Sequence, residues 1–400
     1  MVTVNNINKT MAASTRYIRK TTSTSTIKIR KTTFKNPVLQ FLIFALFLFP
    51  AFEPANSRQL PGFNTNLEMR SIELDELIDG GPGKDGIPSI DNPRFMSQEE
   101  ASAWLRDVEP VISLEVNGEA RAYPIQILMW HEIANDELGG VPVAVTFCPL
   151  CYSAIVFDRR LDGEVLEFGV SGMLRHSDMI MYDRTTESLW QQFSGEALVG
   201  DLTGDYLDIL PSQLISFEQF REMYPGAEVM SRETGQRRNY GQNPYAGYDD
   251  IKNSPFLLKE KVSDKISPMQ KVVGVRTEKE VKGYSYRVTA DKRVLHDRVG
   301  GEPIVIFHLD GMASAMDNRD IHRSRDDGAT GVFSPLLNGK TLEFEFRDGQ
   351  IRDTNTGSTW SITGRATSGT LQGEQLETKI FGDYFAFAWL VFYPDTEVVQ

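Results

Sequence analysis

The sequence predicts an α+β fold with β-structure in excess, made of two diverged tandem copies of one mostly antiparallel β unit with short helices. Three observations lead to this prediction. Blocks of residues recur in the same order along the chain. Stretches rich in β-branched residues alternate with Gly-containing turns, and helical periodicity is confined to short segments.

The repeat has five matched blocks, which are hard to obtain by chance. In the first copy and then the second they are LDGEVLEF (161–168) and LNGKTLEF (337–344), DRTTESLW (183–190) and DTNTGSTW (353–360), GEALVGDLTGDYL (195–207) and GRATSGTLQGEQL (364–376), the Tyr-Pro pairs 224–225 and 393–394, and Tyr123/Gly139-Gly140/Pro142 with Tyr284/Gly300-Gly301/Pro303. We interpret residues 110–232 as repeat 1 and residues 271–399 as a degenerate repeat 2.

The first elements of repeat 1 are a hairpin and a helix. Val111–Val116 and Glu119–Pro124 are strand-like and flank Asn117-Gly118, a favoured two-residue hairpin turn. Ile125–Leu138 has apolar residues near helical spacing and ends at two glycines, so we expect a helix there.

The remaining elements of repeat 1 are again mostly strands. Val141–Phe147 is β-branched and predicts a buried strand. Tyr152–Asp158 and Val165–Val170 predict a second hairpin around Asp162-Gly163, and Ser216–Met223 predicts a short helix. Glycines in 195–207 fit turns between strands, because the block lacks the Lys-Ser/Thr of a phosphate-binding loop.

Two segments lie outside the copies. Residues 58–109 contain the turn-rich GGPGKDGIP (80–88), and we expect them to pack on repeat 1. Residues 233–270 are rich in Gly, Asn, Pro and Tyr, and we expect them to link the copies.

The N-terminus has the pattern of an export signal. Residues 1–52 contain eight basic residues and no acidic residue, and Val38–Phe52 is an apolar run too short to span a bilayer comfortably. Ala55-Asn56-Ser57 then supplies a small-x-small cleavage pattern. We expect residues 1–57 to be a signal peptide, with an uncleaved anchor over 38–52 as the alternative. Either interpretation predicts an extracytoplasmic protein, secreted or periplasmic.

Composition excludes several classes of protein. The chain has 42 Lys+Arg against 55 Asp+Glu, a net charge of -13, and residues 58–400 alone have 34 against 54, a net of -20. This acidity argues against nucleic-acid partners and leaves a small molecule or a redox partner. A membrane partner is expected only through the N-terminal segment. Two cysteines cannot form a disulfide-rich scaffold.

Both cysteines lie in Cys148-Pro149-Leu150-Cys151, between two predicted strands. Such a pair can close a disulfide, act as a redox couple or present two thiolates to one metal. The missing His after Cys151 excludes a c-type haem attachment signal. A gap-free alignment of the copies places Leu309 and Met312 at the two cysteine positions. Because one copy is predicted to fold without the pair, the cysteines are better candidates for a functional site than for a structural role.

Three other polar residues are candidates for the same site. His131 and Glu132 lie on the predicted helix, where His131 and Asn135 would be one turn apart. His131 and Glu132 would tune the thiols or complete a metal shell. His176 lies in Met173–Met179, where Met, His and Cys together would suit copper. Hydrogen bonding for His131 and core packing for the methionines are the structural alternatives.

At these residues the chain resembles the family catalogued as domain of unknown function 3179. The shared motifs are GGPGKDGIP (80–88), RAYP (121–124), WHEIAND (130–136), TFCPLC (146–151), SGMLRHSDMIMYDRTTESLW (171–190) and NPYAGY (243–248). The resemblance covers nearly all of the chain after residue 57, and it implies no particular activity.

Our sequence-based hypothesis is a secreted two-repeat protein with a Cys148/Cys151 thiol redox or soft-metal centre. His131 and Glu132 are further catalytic candidates, and His131 and His176 are further metal ligands. The candidate cofactors are copper and zinc. One alternative is a non-catalytic module that binds a small ligand or is structural, with an inert disulfide. Another is a hydrolase with His131, Glu132 and Asp136 as a general-base cluster. Whether the protein is an enzyme stays open.

Overall fold

Strands form most of the regular structure in the computed structural model, which describes residues 60–400. Several mostly antiparallel sheets and a few short helices confirm the predicted α+β, β-rich class. The predicted signal segment, residues 1–57, lies outside the described residues. Within the described part of the chain, no helix is long and apolar enough to cross a membrane.

The helices are short. The α-helices are α1 (Gln98–Ala101), α2 (Ile125–His131), α3 (Phe217–Met223), α4 (Tyr286–Lys292) and α5 (Ala386–Phe392), and the 3-10 turns are Leu74–Glu76 and Ile321–Arg323. Ser216 caps α3 by accepting a hydrogen bond from the Gln219 backbone, as expected for a helix predicted to start there.

The strands fall into an earlier and a later group. The earlier strands are β1 (Ile78–Asp79), β2 (Phe95–Met96), β3 (Pro110–Val116), β4 (Glu119–Pro124), β5 (Ile133–Leu138), β6 (Val141–Cys148), β7 (Ser153–Asp158), β8 (Arg160–Leu161), β9 (Glu164–Val165), β10 (Phe168–Arg175), β11 (Asp178–Asp183), β12 (Leu189–Gln191), β13 (Ala197–Val199), β14 (Ile209–Leu210), β15 (Gln213–Ser216) and β16 (Glu228–Met230). The later strands are β17 (Lys271–Arg276), β18 (Val281–Ser285), β19 (Val294–Val299), β20 (Glu302–Leu309), β21 (Ala329–Phe333), β22 (Leu336–Leu337), β23 (Lys340–Thr341), β24 (Phe344–Arg347), β25 (Gln350–Asp353), β26 (Thr359–Trp360), β27 (Ala366–Ser368), β28 (Ile380–Phe385) and β29 (Glu397–Val399).

The two groups form sheets of matching strand order. In the earlier group, neighbouring strands run β15-β3-β4-β16-β2, β14-β7-β6-β5 and β1-β10-β11-β12-β13. In the later group they run β28-β17-β18-β29, β19-β20-β21 and β24-β25-β26-β27. Even the parallel pairs correspond, because β16 runs parallel to β4 and β29 parallel to β18. The matching order supports the interpretation of two copies, which stays a prediction about their origin.

The register of paired strands gives the residue correspondence between the groups. Asn-Gly joins β3 to β4, as the sequence predicted. In β6, Cys148 pairs with Ser153, and in β20, Leu309 pairs with Ala329. Residues 149–152 therefore correspond to the much longer connection 310–328. The gap-free alignment of Met312 with Cys151 is wrong for this reason.

Two elements differ from those that the sequence predicted. The predicted helix Ile125–Leu138 ends at His131, because Glu132 takes a positive φ of 60° and residues 133–138 form β5 along β6. The predicted second hairpin is also wrong. Asp162-Gly163 joins the short β8 and β9, while β7 pairs with β6 and β14.

Recurrent side-chain clusters hold both groups together. Asp183 and Asp353 are buried in matching turns, and each accepts a hydrogen bond from a tryptophan indole, Trp190 or Trp360, at 3.1 and 3.0 Å. Threonine backbone and hydroxyl groups donate to the same two carboxylates. The recurring D-x-x-T-x-S-x-W block is therefore a structural turn.

The segments outside the two groups pack against them. β1 pairs with β10 and β2 pairs with β16, so the residues before β3 extend two sheets of the earlier group. The side chain of Asp85 accepts a hydrogen bond from Tyr182 at 2.6 Å. Residues 243–260 lie between the groups, where Asn243 and Gly247 bond to the backbone of the 310–328 connection.

Candidate functional site

The two cysteines lie on a tight turn between β6 and β7. Cys148 is the last residue of β6, and one residue, Tyr152, lies between Cys151 and β7, which is the strand–turn–strand arrangement expected from the sequence. Their side chains are 1% and 0% exposed, and both are free thiols. Every residue of β6 is buried, so the strand fixes the position of the first thiol inside the core.

A third candidate ligand, Asp178, is the first residue of β11, directly after the turn from β10. The sulfur atoms of Cys148 and Cys151 and a carboxylate oxygen of Asp178 all lie within 4.8 Å of one another. Asp178 Oδ2 accepts hydrogen bonds from Gln191 Nε2 at 2.7 Å and Phe193 N at 2.9 Å. Its Oδ1 is buried, and its only potential donors are the two thiol groups. We call these three residues the Cys/Asp cluster.

Glu132 is a second carboxylate beside the cluster. It is 7% exposed and follows the last residue of α2. Burial, together with the nearby charge of Asp178, raises the pKa of Glu132 to about 8. Glu132 in turn raises the pKa of Cys148, so its carboxyl group lies within electrostatic reach of the thiol.

Burial sets the protonation of the cluster, since a low-dielectric environment disfavours charged groups. It raises the pKa of both thiols, that of Cys151 well above its ordinary range. It also raises the pKa of Asp178 to about 6, although hydrogen bonds from Gln191 and Phe193 favour the ionised form. Without a bound cation the thiols are therefore protonated at neutral pH.

Strained backbone surrounds the cluster. In residues 60–400, seven residues other than Gly, Asn and Asp have positive φ, and four of them adjoin or neighbour the cluster. These four are Glu132, Tyr152, His176 and Ser177. Such conformations cost free energy and concentrate at functional sites, so the surrounding structure holds these turns in place.

Residues from distant parts of the chain enclose the cluster. Tyr248 donates a hydrogen bond to the Leu150 carbonyl at 3.3 Å, and the hydroxyl of Ser177 donates to the Phe256 carbonyl. From β28, the Phe385 backbone N–H donates to the Cys151 carbonyl at 3.0 Å. The turn that presents the thiols is thus fixed by both groups of strands and by the segment between them.

A buried guanidinium lies near the cluster. Arg276 of β17 is 9% exposed, its Nε and Nη2 atoms have no hydrogen-bond partner, and its guanidinium carbon is 4.8 Å from the centre of the Phe193 ring. Phe193 also donates its backbone N–H to Asp178. Phe193 is therefore the residue that lies between the Arg276 guanidinium and the Asp178 carboxylate.

Both predicted histidines lie outside the Cys/Asp cluster. His131 Nδ1 is 2.7 Å from the Pro88 carbonyl oxygen and Nε2 is 2.7 Å from the Tyr240 hydroxyl, so both ring nitrogens have partners. His176 Nδ1 is 2.8 Å from Glu260 Oε1. The structure brings together Cys148, Cys151 and Glu132 among the predicted site residues, and places His131 and His176 elsewhere.

Asn135 and Asp136 have structural partners. Asn135 bonds to the Phe168 backbone in both directions, and Asp136 accepts from the Tyr123 hydroxyl at 2.7 Å and from Arg121 at 2.9 Å. These contacts separate Asp136 from the proposed His131/Glu132 general-base cluster.

Sequence reasoning missed Asp178 as a ligand. The residue lies inside the motif SGMLRHSDMIMYDRTTESLW, in which the sequence predicted only His176, Met173 and Met179 as possible ligands. An Asp after a His-Ser turn indicates a metal ligand only if the turn is known to lie beside Cys148 and Cys151. The sequence alone does not contain that information.

Comparison with known proteins identifies the family and nothing more specific. The family described as protein of unknown function (DUF3179) matches residues 84–396, most of the chain. The chain therefore belongs to this family. Neither a curated protein nor a solved structure gave a significant match.

Proposed function

We propose that the Cys/Asp cluster is a binding centre for a thiophilic divalent cation, with zinc as the first candidate. The observation that supports this most is the convergence of two thiols and a carboxylate within 4.8 Å, all of them buried. Asp178 Oδ1 adds to it, because its only potential donors are the weak thiol groups of the cluster, and a cation that replaces the thiol protons would satisfy this buried acceptor.

The donor set favours zinc over copper. Zn²⁺ accepts thiolate, imidazole and carboxylate ligands in a tetrahedral arrangement. Cu(I) prefers sulfur ligands, and the third donor here is a carboxylate oxygen. Three donors leave one position of a tetrahedral ion. Glu132 is the candidate for that position, because its charge adds to burial and Asp178 in raising the pKa of Cys148.

Burial argues against a thiol-exchange centre. Exchange needs an accessible thiolate, whereas both sulfurs are buried and their pKa values are raised. A cation has the opposite effect, since it displaces the thiol protons and neutralises the thiolates. The same burial that suppresses exchange therefore suits a bound ion.

Metal content of the purified full-length chain tests the proposal. We expect a stoichiometric amount of zinc in the wild type after incubation with Zn²⁺ and dialysis, and affinity weakened about tenfold or more in Cys148→Ser and Asp178→Asn. Asp383→Asn is the matched control, because Asp383 is also buried and burial likewise raises its pKa to about 6, yet it lies outside the cluster.

Three outcomes would contradict the proposal. They are a wild type that binds no zinc, an Asp178→Asn variant that binds as tightly as the wild type, and an Asp383→Asn variant that loses zinc equally. Thiol titration of the same samples distinguishes the alternatives. A reversible disulfide whose reduction potential lies near that of the predicted extracytoplasmic compartment would favour a redox pair. A permanent disulfide would favour a structural module.

A further inference from the structure

A long segment without helix or strand lies beside the Cys/Asp cluster. Residues 250–265 are all exposed or half-buried, and they run between two buried residues, Asp249 and Ile266. Connections longer than about 12 to 15 residues without secondary structure are uncommon in compact proteins, and the ordered ones are usually lids or binding loops. We call residues 250–265 the strap.

Phe256 joins the strap to the cluster. Its backbone N–H donates to the Tyr248 hydroxyl at 3.1 Å, and the same hydroxyl donates to the Leu150 carbonyl, between the two cysteines, at 3.3 Å. The Phe256 carbonyl accepts a hydrogen bond from the hydroxyl of Ser177, the residue before Asp178. The strap is therefore bonded both to the cysteine turn and to the turn that precedes Asp178.

The rest of the strap has few contacts. Glu260 Oε1 lies 2.8 Å from His176 Nδ1. Leu258 and Val262 are half-buried against the core, whereas Leu257 is 40% exposed and has a positive φ of 50°, which is unfavourable for a Leu. The strap is thus held by a few side-chain contacts and by no strand pairing.

The other elements around the cluster are held by strand pairing. β6 lies between β5 and β7, β11 lies between β10 and β12, and β28 pairs with β17 along its whole length. Displacing any of them breaks a ladder of backbone hydrogen bonds, so local opening costs least at the strap. Opening of some kind is needed, because a metal site requires an entry path and the two thiols are 1% and 0% exposed.

We propose that the strap is the gate of the Cys/Asp cluster. Local opening of residues 250–265 exposes Cys148 and Cys151 to solvent while the sheets stay folded. The Tyr248 hydroxyl holds the gate closed, because it is bonded both to the strap and to the cysteine turn. That a cation enters by this route rests on the proposed function, whereas the opening itself does not.

The rate of thiol modification tests the gate without any metal. The chain has two cysteines, both in the cluster, so a thiol reagent reports on the cluster alone. We expect excess 4,4′-dithiodipyridine to modify the reduced, metal-free, full-length chain far more slowly than the urea-unfolded chain. Low concentrations of urea should change this rate little, because local opening exposes little surface.

Two variants should open the gate. Tyr248→Phe removes the hydroxyl that holds the strap and should raise the modification rate about tenfold. Glu260→Ala removes the contact with His176 and should raise the rate by a smaller factor. Tyr240→Phe is the matched control, because its hydroxyl bonds to His131 and Thr234, at 2.7 and 2.6 Å, outside the strap. It should leave the rate unchanged.

Three outcomes would overturn the gate. They are equal acceleration by Tyr248→Phe and Tyr240→Phe, a wild-type rate as fast as that of the unfolded chain, and a wild-type rate that rises with urea in parallel with global unfolding. Zinc binding by the same samples separates the two proposals. Thiols that respond as expected in a chain that binds no zinc would support the gate and contradict the cation centre.

Discussion

The connection from β6 to β7 and the connection from β20 to β21 occupy the same place in sheets of the same strand order, yet they contain different chemistry. The first is four residues long and presents Cys148 and Cys151 to Asp178. The second spans residues 310–328 and lines an acidic cavity. Features found in both groups of strands are therefore candidates for the scaffold, and features found in one are candidates for a site.

Backbone strain follows the same division. Glu132 and its counterpart Arg293 share a positive φ near 60°, so that conformation belongs to the scaffold. Tyr152, however, corresponds to Gly328, and His176-Ser177 corresponds to Asp348-Gly349, by the pairing register. Gly and Asp tolerate positive φ better than Tyr and Ser. The strain around the thiols is thus specific to the earlier group.

The largest expected effect tests the shared turns. Asp183→Ala and Asp353→Ala each remove the acceptor of several buried hydrogen-bond donors, including a tryptophan indole N–H. We expect each to lower the free energy of unfolding by about 3 to 5 kcal/mol. Denaturant unfolding of the two variants measures this. A large loss of unfolding free energy at one position and none at the other would show that the two turns do not play the same structural part.

A pH dependence follows from a buried acid that only the earlier group has. Burial raises the pKa of Glu109 from 4.5 to about 7, despite the hydrogen bond from the Arg106 backbone. Gln270 is its counterpart, since their carbonyls accept equivalent bonds from Phe217 and Ala386. Below pH 4.5 the acid is protonated in both folded and unfolded states, and above pH 7 it is ionised in both.

The penalty for ionising Glu109 therefore develops as pH rises from about 4.5 to about 7, and it amounts to about 3 kcal/mol at most. In Glu109→Gln this part of the fall in the free energy of unfolding should disappear, so the slope should become smaller, while Glu132, Asp178 and Asp383, whose pKa values burial also raises, still contribute. Denaturant unfolding between pH 5 and pH 8 measures the slope, with the exposed Glu119→Gln as the control that keeps it. Identical slopes in Glu109→Gln and the wild type would show that the acid does not titrate as expected.

A smaller effect distinguishes two versions of one tyrosine–aspartate contact. Tyr123 donates to Asp136 at 2.7 Å in a buried site, and Tyr284 donates to Asp297 at 2.8 Å in a partly exposed one. We expect Tyr123→Phe to cost about 2 kcal/mol and Tyr284→Phe about 1 kcal/mol, because water can replace the lost donor only at Asp297. Equal losses in thermal unfolding would argue that burial does not separate the two contacts.

The smallest effect tests the strained turn. His176→Gly removes the Cβ at a residue with φ of 54°, and should raise the free energy of unfolding by less than about 1 kcal/mol. His176→Ala removes the same contact with Glu260 without relieving the strain, so it should not stabilise the protein. If both variants behave alike, the turn is not strained.

Local patterns were enough for much of the fold but for only part of the site. The Asn117-Gly118 hairpin, the buried β6 and the cysteine turn follow from residues adjacent in sequence. The helix over Ile125–Leu138 failed because Ile133 and Ala134 fit a helical stripe as well as a strand, and only pairing with β6 decides between them. Strand pairing is a long-range property that periodicity does not contain.

The site shows the same limit. His131 and Glu132 are adjacent in sequence and were expected to act together. The positive φ at Glu132 changes the chain direction between them, so one lies by Pro88 and Tyr240 and the other near Cys148. Asp178 reaches the thiols through a turn that is remote in sequence, and no spacing rule could have indicated it.

The hydrogen bond from Phe385 to Cys151 has a consequence for how the molecule is made. A ribosome delivers the chain from its N-terminus, so the cysteine turn emerges long before the strand that supports it. Phe385 follows Cys151 by 234 residues (385 − 151), so the Cys151 carbonyl acquires this partner only after that whole stretch has been synthesised. Until then the cysteine turn lacks one of the contacts that fix it, and truncation before Phe385 would leave the turn without that contact.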